Sequence, residues 1–218
     1  MARLRRTRPL EGALPPPGGL PAAGLPRDIS GQENPKEIAR SRQGSLWLQS
    51  RKDQGARVSE PHPRRLSAED PAIPGVLLLL RTAFAYMEGR IDPPSSLTRL
   101  TGVGVSRHAA QGMVWVVEDA GRPVACLFGM PQPEALYLGK LAVAAPHRGL
   151  GLSRRLIDAA ADEARRLGLP ALELESRIEL TETHAALAAL GFAKVAETAH
   201  QGFDRPTSIT MRRPAEYR

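Results

Sequence analysis

The sequence predicts a single α/β domain, a mixed β-sheet with about four helices on its faces, preceded by a long extension without a core of its own. Three observations predict it. Short β-rich apolar runs fill part of the second half, as in "GMVWVVEDAGRPVACLFGM" from Gly112 to Met130. Elsewhere apolar residues return at helical spacing, as Leu152, Leu156, Ala160, Ala164 and Leu167 do. The first 65 residues show neither period and hold 9 of the chain's 20 prolines.

The division at residues 63/64 is supported by charge. Residues 1–65 carry 13 Lys and Arg against 6 Asp and Glu, whereas residues 66–218 carry 17 of each. Residues 1–63, with "LPPPGGLPAAGLP" at their centre, are too poor in apolar surface to offset the entropy of ordering them. They are expected to be disordered apart from a weak helix around Pro35–Gln43. Residues 64–218 are expected to fold.

Within the folded part each element has its own signal. "RRLSAEDP" reads as a short strand followed by a helix cap at Ser67. "IPGVLLLLRTAFAYMEGR" is a helix with Gly89 as its stop, and a short second helix begins near Ser96 after the Pro93-Pro94 loop. Asp119-Ala120-Gly121-Arg122 joins two strands as a hairpin. "EALYLGKLAVAAP" is a third strand, ended by Pro146. Residues 149–167 form an amphipathic helix and "LPALELES" a strand. "TETHAALAALGF" is a short helix closed by Gly191, and "AKVAETAH" and "TSITMRRP" are the last strands. The order is β-α-α-β-β-β-α-β-α-β-β.

Composition excludes several function classes. One cysteine, Cys126, forms no intrachain disulfide and sits in "VACLF", where core packing is expected. No two histidines have metal-ligand spacing with each other or with Cys126, so no metal is expected. The longest aliphatic run, Val76 to Leu80, is far short of the roughly 20 apolar residues of a membrane span, so a cytoplasmic protein without a membrane partner is expected. The basic first segment leaves open binding to nucleic acid or an anionic surface. Its only aromatic residue is Trp47, so base stacking is not suggested and nucleic acid is not expected.

The stretch "APHRGLGLSRRLIDAA", Ala145 to Ala160, sets glycines at the mouth of the amphipathic helix. A helix start has backbone N–H groups without partners and a partial positive charge. Glycines let a ligand approach the backbone closely, so the loop suits a diphosphate, with Arg148 and either Arg154 or Arg155 adding charge. The alternative is a plain corner between strand and helix. No Gly-Lys-Ser/Thr follows, which excludes a Walker loop, and no second nucleotide-binding half supports a Rossmann fold.

Strand, Arg148-Gly149-Leu150-Gly151-Leu152-Ser153, long helix, strand, short helix and Gly191-Phe192 together resemble the GNAT superfamily of acyl-CoA N-acyltransferases over residues 64–213. Arg148, Gly151 and Ser153 match the fixed positions of that family's loop, with serine in place of its final glycine or alanine. The resemblance implies a GNAT-like mixed sheet and acetyl-CoA as cosubstrate, transferred to a primary amine by direct attack. It implies that Arg148–Ser153 hold the diphosphate (Arg148, Gly149, Leu150, Gly151, Leu152, Ser153) and that the backbone of Leu141, Ala142 and Val143 pairs with the pantetheine arm. The family's tyrosine position is Leu187 here and its usual asparagine position is Leu180. Glu88 and Glu179 are therefore expected to receive the amine and Tyr137 to supply a proton to the leaving thiolate. Tyr86, Asp92, Arg177 and His184 are expected to line the acceptor wall, with Glu175, Arg90, His200, Asp204 and Arg205 nearby. A catalytically weak acyl-CoA-binding module is an alternative, and a homodimer is left open.

Overall fold

The computed structural model describes residues 62–216 and the backbone of Arg5–Arg6. The expectations for the rest of residues 1–63, including the helix around Pro35–Gln43, lie outside the described residues. Eight strands form one sheet: β1 (Arg5–Arg6), β2 (Arg64–Arg65), β3 (Met113–Asp119), β4 (Arg122–Pro131), β5 (Leu136–Val143), β6 (Ala171–Arg177), β7 (Ala193–Ala199) and β8 (Ser208–Pro214). Their spatial order is β1-β7-β8-β6-β5-β4-β3-β2. The pairings β1–β7 and β5–β6 are parallel, and the others are antiparallel. Four α-helices accompany the sheet: α1 (Ile73–Phe84), α2 (Gly102–Gln111), α3 (Leu152–Arg166) and α4 (Thr181–Ala189).

The β3–β4 hairpin turns at Ala120 and Gly121, with φ of 48° and 72°. Positive φ at both central residues matches the right-handed twist of the strands, which is why glycine belongs there. Alternation along β3 then divides the core. Val114 and Val116 face one side with Ile73, Val76, Leu79, Leu80, Val105 and Ala109 of α1 and α2. Met113, Trp115 and Val117 face the other, with Leu152, Leu156, Ile157, Ala160 and Ala164 of α3. Fully burying one Leu or Ile such as Leu156 or Ile157 contributes about 1.5–3 kcal/mol. Cys126 is buried in the α1/α2 side of the core, as expected, and burial pushes its thiol up to about 12.

Two helix starts differ from the sequence expectation. Ser67 caps no helix: its carbonyl accepts from Asp70 N–H at 3.3 Å in a turn, and α1 begins only at Ile73. Asp70 Oδ1 instead accepts from Ala72 N–H at 2.9 Å, and Pro74 fixes φ in the first turn. Near Ser96 the chain forms a single 3-10 turn, Ser96–Arg99, before Leu100 becomes extended. The helix proper, α2, is capped by Thr101, whose hydroxyl accepts from Gly104 N–H at 3.2 Å. Among the described residues no helix is long and apolar enough to cross a membrane, and no group of three or more His, Cys, Asp or Glu gathers as a metal site.

Candidate active site

The centre of the sheet opens into a fork. β5 and β6 pair only through Leu136–Leu172, Tyr137–Glu173 and Leu138–Leu174. A bulge explains the departure. Opposite β4 the register slips between Cys126, paired with Ala142, and Phe128, paired with Gly139. The slip leaves two residues of β5 facing one of β4, and Lys140 takes a φ of 51°. Beyond the bulge Ala144 N–H donates to Val124 O at 2.8 Å. Alternation then turns the polar backbone groups of Leu141 and Val143 toward the gap, and those of Ala142 toward β4.

At the end of β5 a 3-10 turn, Ala145–His147, leads into the glycine loop. Gly149 and Gly151 have φ of 78° and 74°, a region that costs a side-chain-bearing residue roughly 1–2 kcal/mol. A Cβ at either glycine would meet no atom within 4 Å, so backbone conformation, not crowding, demands glycine, and space beside the loop stays open. Gly151 is the N-cap of α3, and Arg155 N–H donates to its carbonyl at 3.1 Å. The N–H groups of Leu152, Ser153 and Arg154 thus precede the helical ladder and face outward at its positive end. Arg148 is exposed, and its Nε donates to Val143 O at 3.4 Å, which ties the loop to the bare edge of β5. Arg154, one of the two alternatives for a further loop cation, reaches the other way: its Nη2 donates to Ala189 O at 3.3 Å, at the end of α4.

A second cluster lies where the chain after α1 meets the end of β6. Glu179 Oε1 accepts from Asp92 N–H at 3.2 Å. Asp92 pairs with Arg205 at 2.5 Å, and Arg90 pairs with Glu182 at 2.7 Å and covers the Tyr86 ring at 5.5 Å. His184 Nε2 lies 2.9 Å from Arg177 O, and Arg177 Nη1 lies 2.9 Å from His200 Nδ1. Burial, followed by the charge of Arg177, lowers the pKa of His200. The structure thus puts Asp92 in contact with Glu179 and Arg177 in contact with His184, with the charges of Glu179 and Asp92 acting on Arg177, while Tyr86 sits beside Arg90. Glu88 belongs to the same loop but is exposed at the end of the Ala85–Met87 turn.

Tyr137 lies in the paired part of β5, beside Glu173. Burial, then the charges of Glu175 and Glu173, pushes its phenol above the ordinary tyrosine range. Leu187 and Leu180 are 6% and 3% exposed and belong to the interior, so neither takes part in polar chemistry.

Two residues escaped the sequence reading in different degrees. Lys140 drew no attention, because a lone lysine in a strand announces nothing. In the fold it is half-buried at the bulge, with its ammonium 5.3 Å from the Phe128 ring centre, and burial lowers its pKa. Glu175 stood among several acidic neighbours without distinction. It is half-buried, accepts from Thr198 Oγ1 at 3.3 Å, and burial raises its pKa.

The model of the acetyltransferase (GNAT) family matches residues 78–192, which run from within α1 through the fork and the glycine loop to Gly191-Phe192. The chain belongs to the GNAT family. As a GNAT protein it is an acyltransferase. No curated protein matches it significantly. Among solved structures, a putative acyl-CoA N-acyltransferase from Klebsiella pneumoniae is 18% identical with a TM-score of 0.53, covering 72% of this chain and 98% of its own. An acetyltransferase from Streptococcus agalactiae is 13% identical with a TM-score of 0.57, over 72% and 99%. An N-acetylglutamate synthase from Neisseria gonorrhoeae, complexed with coenzyme A and N-acetyl-glutamate, is 19% identical with a TM-score of 0.53, over 73% of this chain and 36% of its own. At these identities the shared property is the GNAT fold.

Proposed function

We propose that this GNAT protein is an N-acetyltransferase that moves an acetyl group from acetyl-CoA to a primary amine by direct attack. The observation that carries the reading is the fork beside the glycine loop. A strand edge at Leu141–Val143 that pairs with no neighbouring strand on the side of β6 leads to a helix N-terminus with open space at Gly149 and Gly151. A long ligand with an amide-bearing arm and a diphosphate fits that sequence of features, since amides pair with a strand edge and anions with a helix start. The N–H groups from Gly149 to Ser153, with Arg148, would hold the diphosphate. The acetyl-CoA-like donor supplies an activated thioester, and the protein's own residues supply the rest.

On the acceptor side Glu88 and Glu179 attract an ammonium ion. Tyr86, Asp92, Arg177 and His184 shape the wall that orients it. Leu187 offers no proton where the family resemblance places a tyrosine, so proton delivery to the departing thiolate falls to Tyr137 or water. The raised pKa of Tyr137 keeps it protonated but makes it a slow donor, which favours water.

The test is a screen of amine classes with acetyl-CoA and the full-length chain, following release of free thiol. Acetyl-CoA-dependent thiol release with at least one class is expected. Binding of acetyl-CoA without turnover of any amine would overturn the reading.

A further inference from the structure

The bulge at the mouth of the fork frees an edge, and it also turns one side chain over. Leu136 and Leu138 of β5 pack in the core on the α3 side of the sheet. Strict alternation from them would send residue 140 to that same side, into an apolar core. The extra residue of the bulge reverses the order. Ala142 packs on the α1/α2 side, and Lys140, at a φ of 51°, lays its ammonium over the Phe128 ring of that side, 5.3 Å from the ring centre. Leu172 and Leu174 of β6 also belong to the α3 side, so alternation sets Glu173, Glu175 and Arg177 on the face that holds Tyr137 and Lys140.

The protein brings no acid to this ammonium. Its contacts are the Phe128 ring and, at the Lys140 carbonyl, the Cys126 thiol at 3.7 Å; among the described residues it forms no ion pair. The acids of β6 on that face are engaged elsewhere. Glu173 pairs with Arg212 at 3.3 Å, and Glu175 accepts from Thr198 Oγ1 at 3.3 Å. The other titratable neighbour is His108, which lies 5.0 Å from the Phe128 ring and whose pKa the charge of Lys140 helps to lower. Half-burying an ammonium costs solvation that a ring repays only in part, so the place favours an anion arriving from outside.

We propose that Lys140 selects the acceptor by binding a carboxylate that the amine itself carries, so that the substrate class is an amino carboxylate. The assignment rests on the N-acetyltransferase reading and narrows its acceptor. Lys140 is the second residue of β5 past the last β5–β6 pair, Leu138–Leu174, so a thioester seated in the fork would lie beside it. Glu88 follows the turn after α1 and Glu179 follows the end of β6, so the acids that attract an ammonium stand on other elements than the cation. A zwitterionic acceptor meets a positive pole on β5 and negative poles after α1 and β6. The Phe128 ring steadies the Lys140 ammonium and shields one side of it from water, which strengthens a charge-assisted bond to a carboxylate.

The experiment uses the full chain, acetyl-CoA and matched acceptors: L-amino acids beside their carboxamides, and ω-amino acids beside the corresponding amides, followed by thiol release. The wild-type chain should prefer the carboxylate form of at least one pair by about tenfold or more in kcat/KM, the scale of one charge-assisted bond. Lys140→Met and Lys140→Gln, which keep much of the side chain's length but not its charge, should each bring that ratio near one, with the loss falling on KM. Lys140→Arg, which keeps the charge, should retain the preference. Equal rates across every pair in the wild-type chain, or a ratio that survives in either neutral variant, would overturn the assignment and leave the transferase reading standing. Absence of turnover by the wild-type chain with every amine, carboxylate and carboxamide alike, overturns the transferase reading itself and is seen before any variant is made.

Discussion

Leu138 stands opposite Leu174, and no residue of β5 beyond Leu138 pairs with β6. That single last pair sets where the fork begins and which backbone groups of β5 pair with no neighbouring strand.

Gly151→Asp should weaken coenzyme A binding at least tenfold in calorimetry, a change of about 1.4 kcal/mol. The new carboxylate would sit where the helix start favours an anion, and it would repel a diphosphate. The residue would also have to adopt a φ of 74°, so a stability loss of roughly 1–2 kcal/mol is expected in denaturant unfolding. Unchanged affinity in a folded variant would remove the loop from the binding site.

Glu179→Gln should lower kcat/KM for the amine while acetyl-CoA affinity holds. It exchanges a carboxylate that attracts an ammonium for a neutral amide that still accepts the Asp92 N–H. Tyr137→Phe should cost less than tenfold, since water replaces the phenol as proton donor. Abolished turnover in the Phe variant would make Tyr137 the required acid.

Stability should fall as pH drops below about 6.5, and His108 is one cause. Burial, then nearby Lys140, lowers its pKa in the folded protein. In the window between the folded value and about 6.5 the unfolded chain takes a proton that the folded chain refuses. Stability is therefore full above the unfolded pKa and is lost as pH falls toward the folded one. His200, also lowered, acts in the same direction, while the raised Glu175 acts against both. His108→Phe should flatten the difference in melting temperature between about pH 7.5 and about pH 5.5. An identical difference in the variant would acquit His108.

The sequence made the local features legible. Gly121 in a two-residue turn, the apolar stripe of α3 and the glycines before it each obey a rule of a few neighbouring residues. Ser67 misled because serine is a good cap in isolation, whereas Asp70, held by Arg64 at 2.6 Å, reaches the N–H that matters. The fork was not readable from the residues alone, because register between β5 and β6 is a tertiary property. Lys140 at positive φ carries no compositional mark, since a bulge is imposed by the strands around it. Glu175 differs from Glu173 only after folding, when Arg212 pairs with one and not with the other.

The fork also divides the sheet into two panels. β2–β5 with α1 and α2 make one panel and β6–β8 another, and β5 and β6 share a seam of only three residue pairs, with α3 lying across it. A donor laid in the gap would supply rungs that the ladder lacks between Gly139 and Val143. Binding would then do for this sheet what an added strand does, knitting the two panels into one continuous fabric along their shared seam.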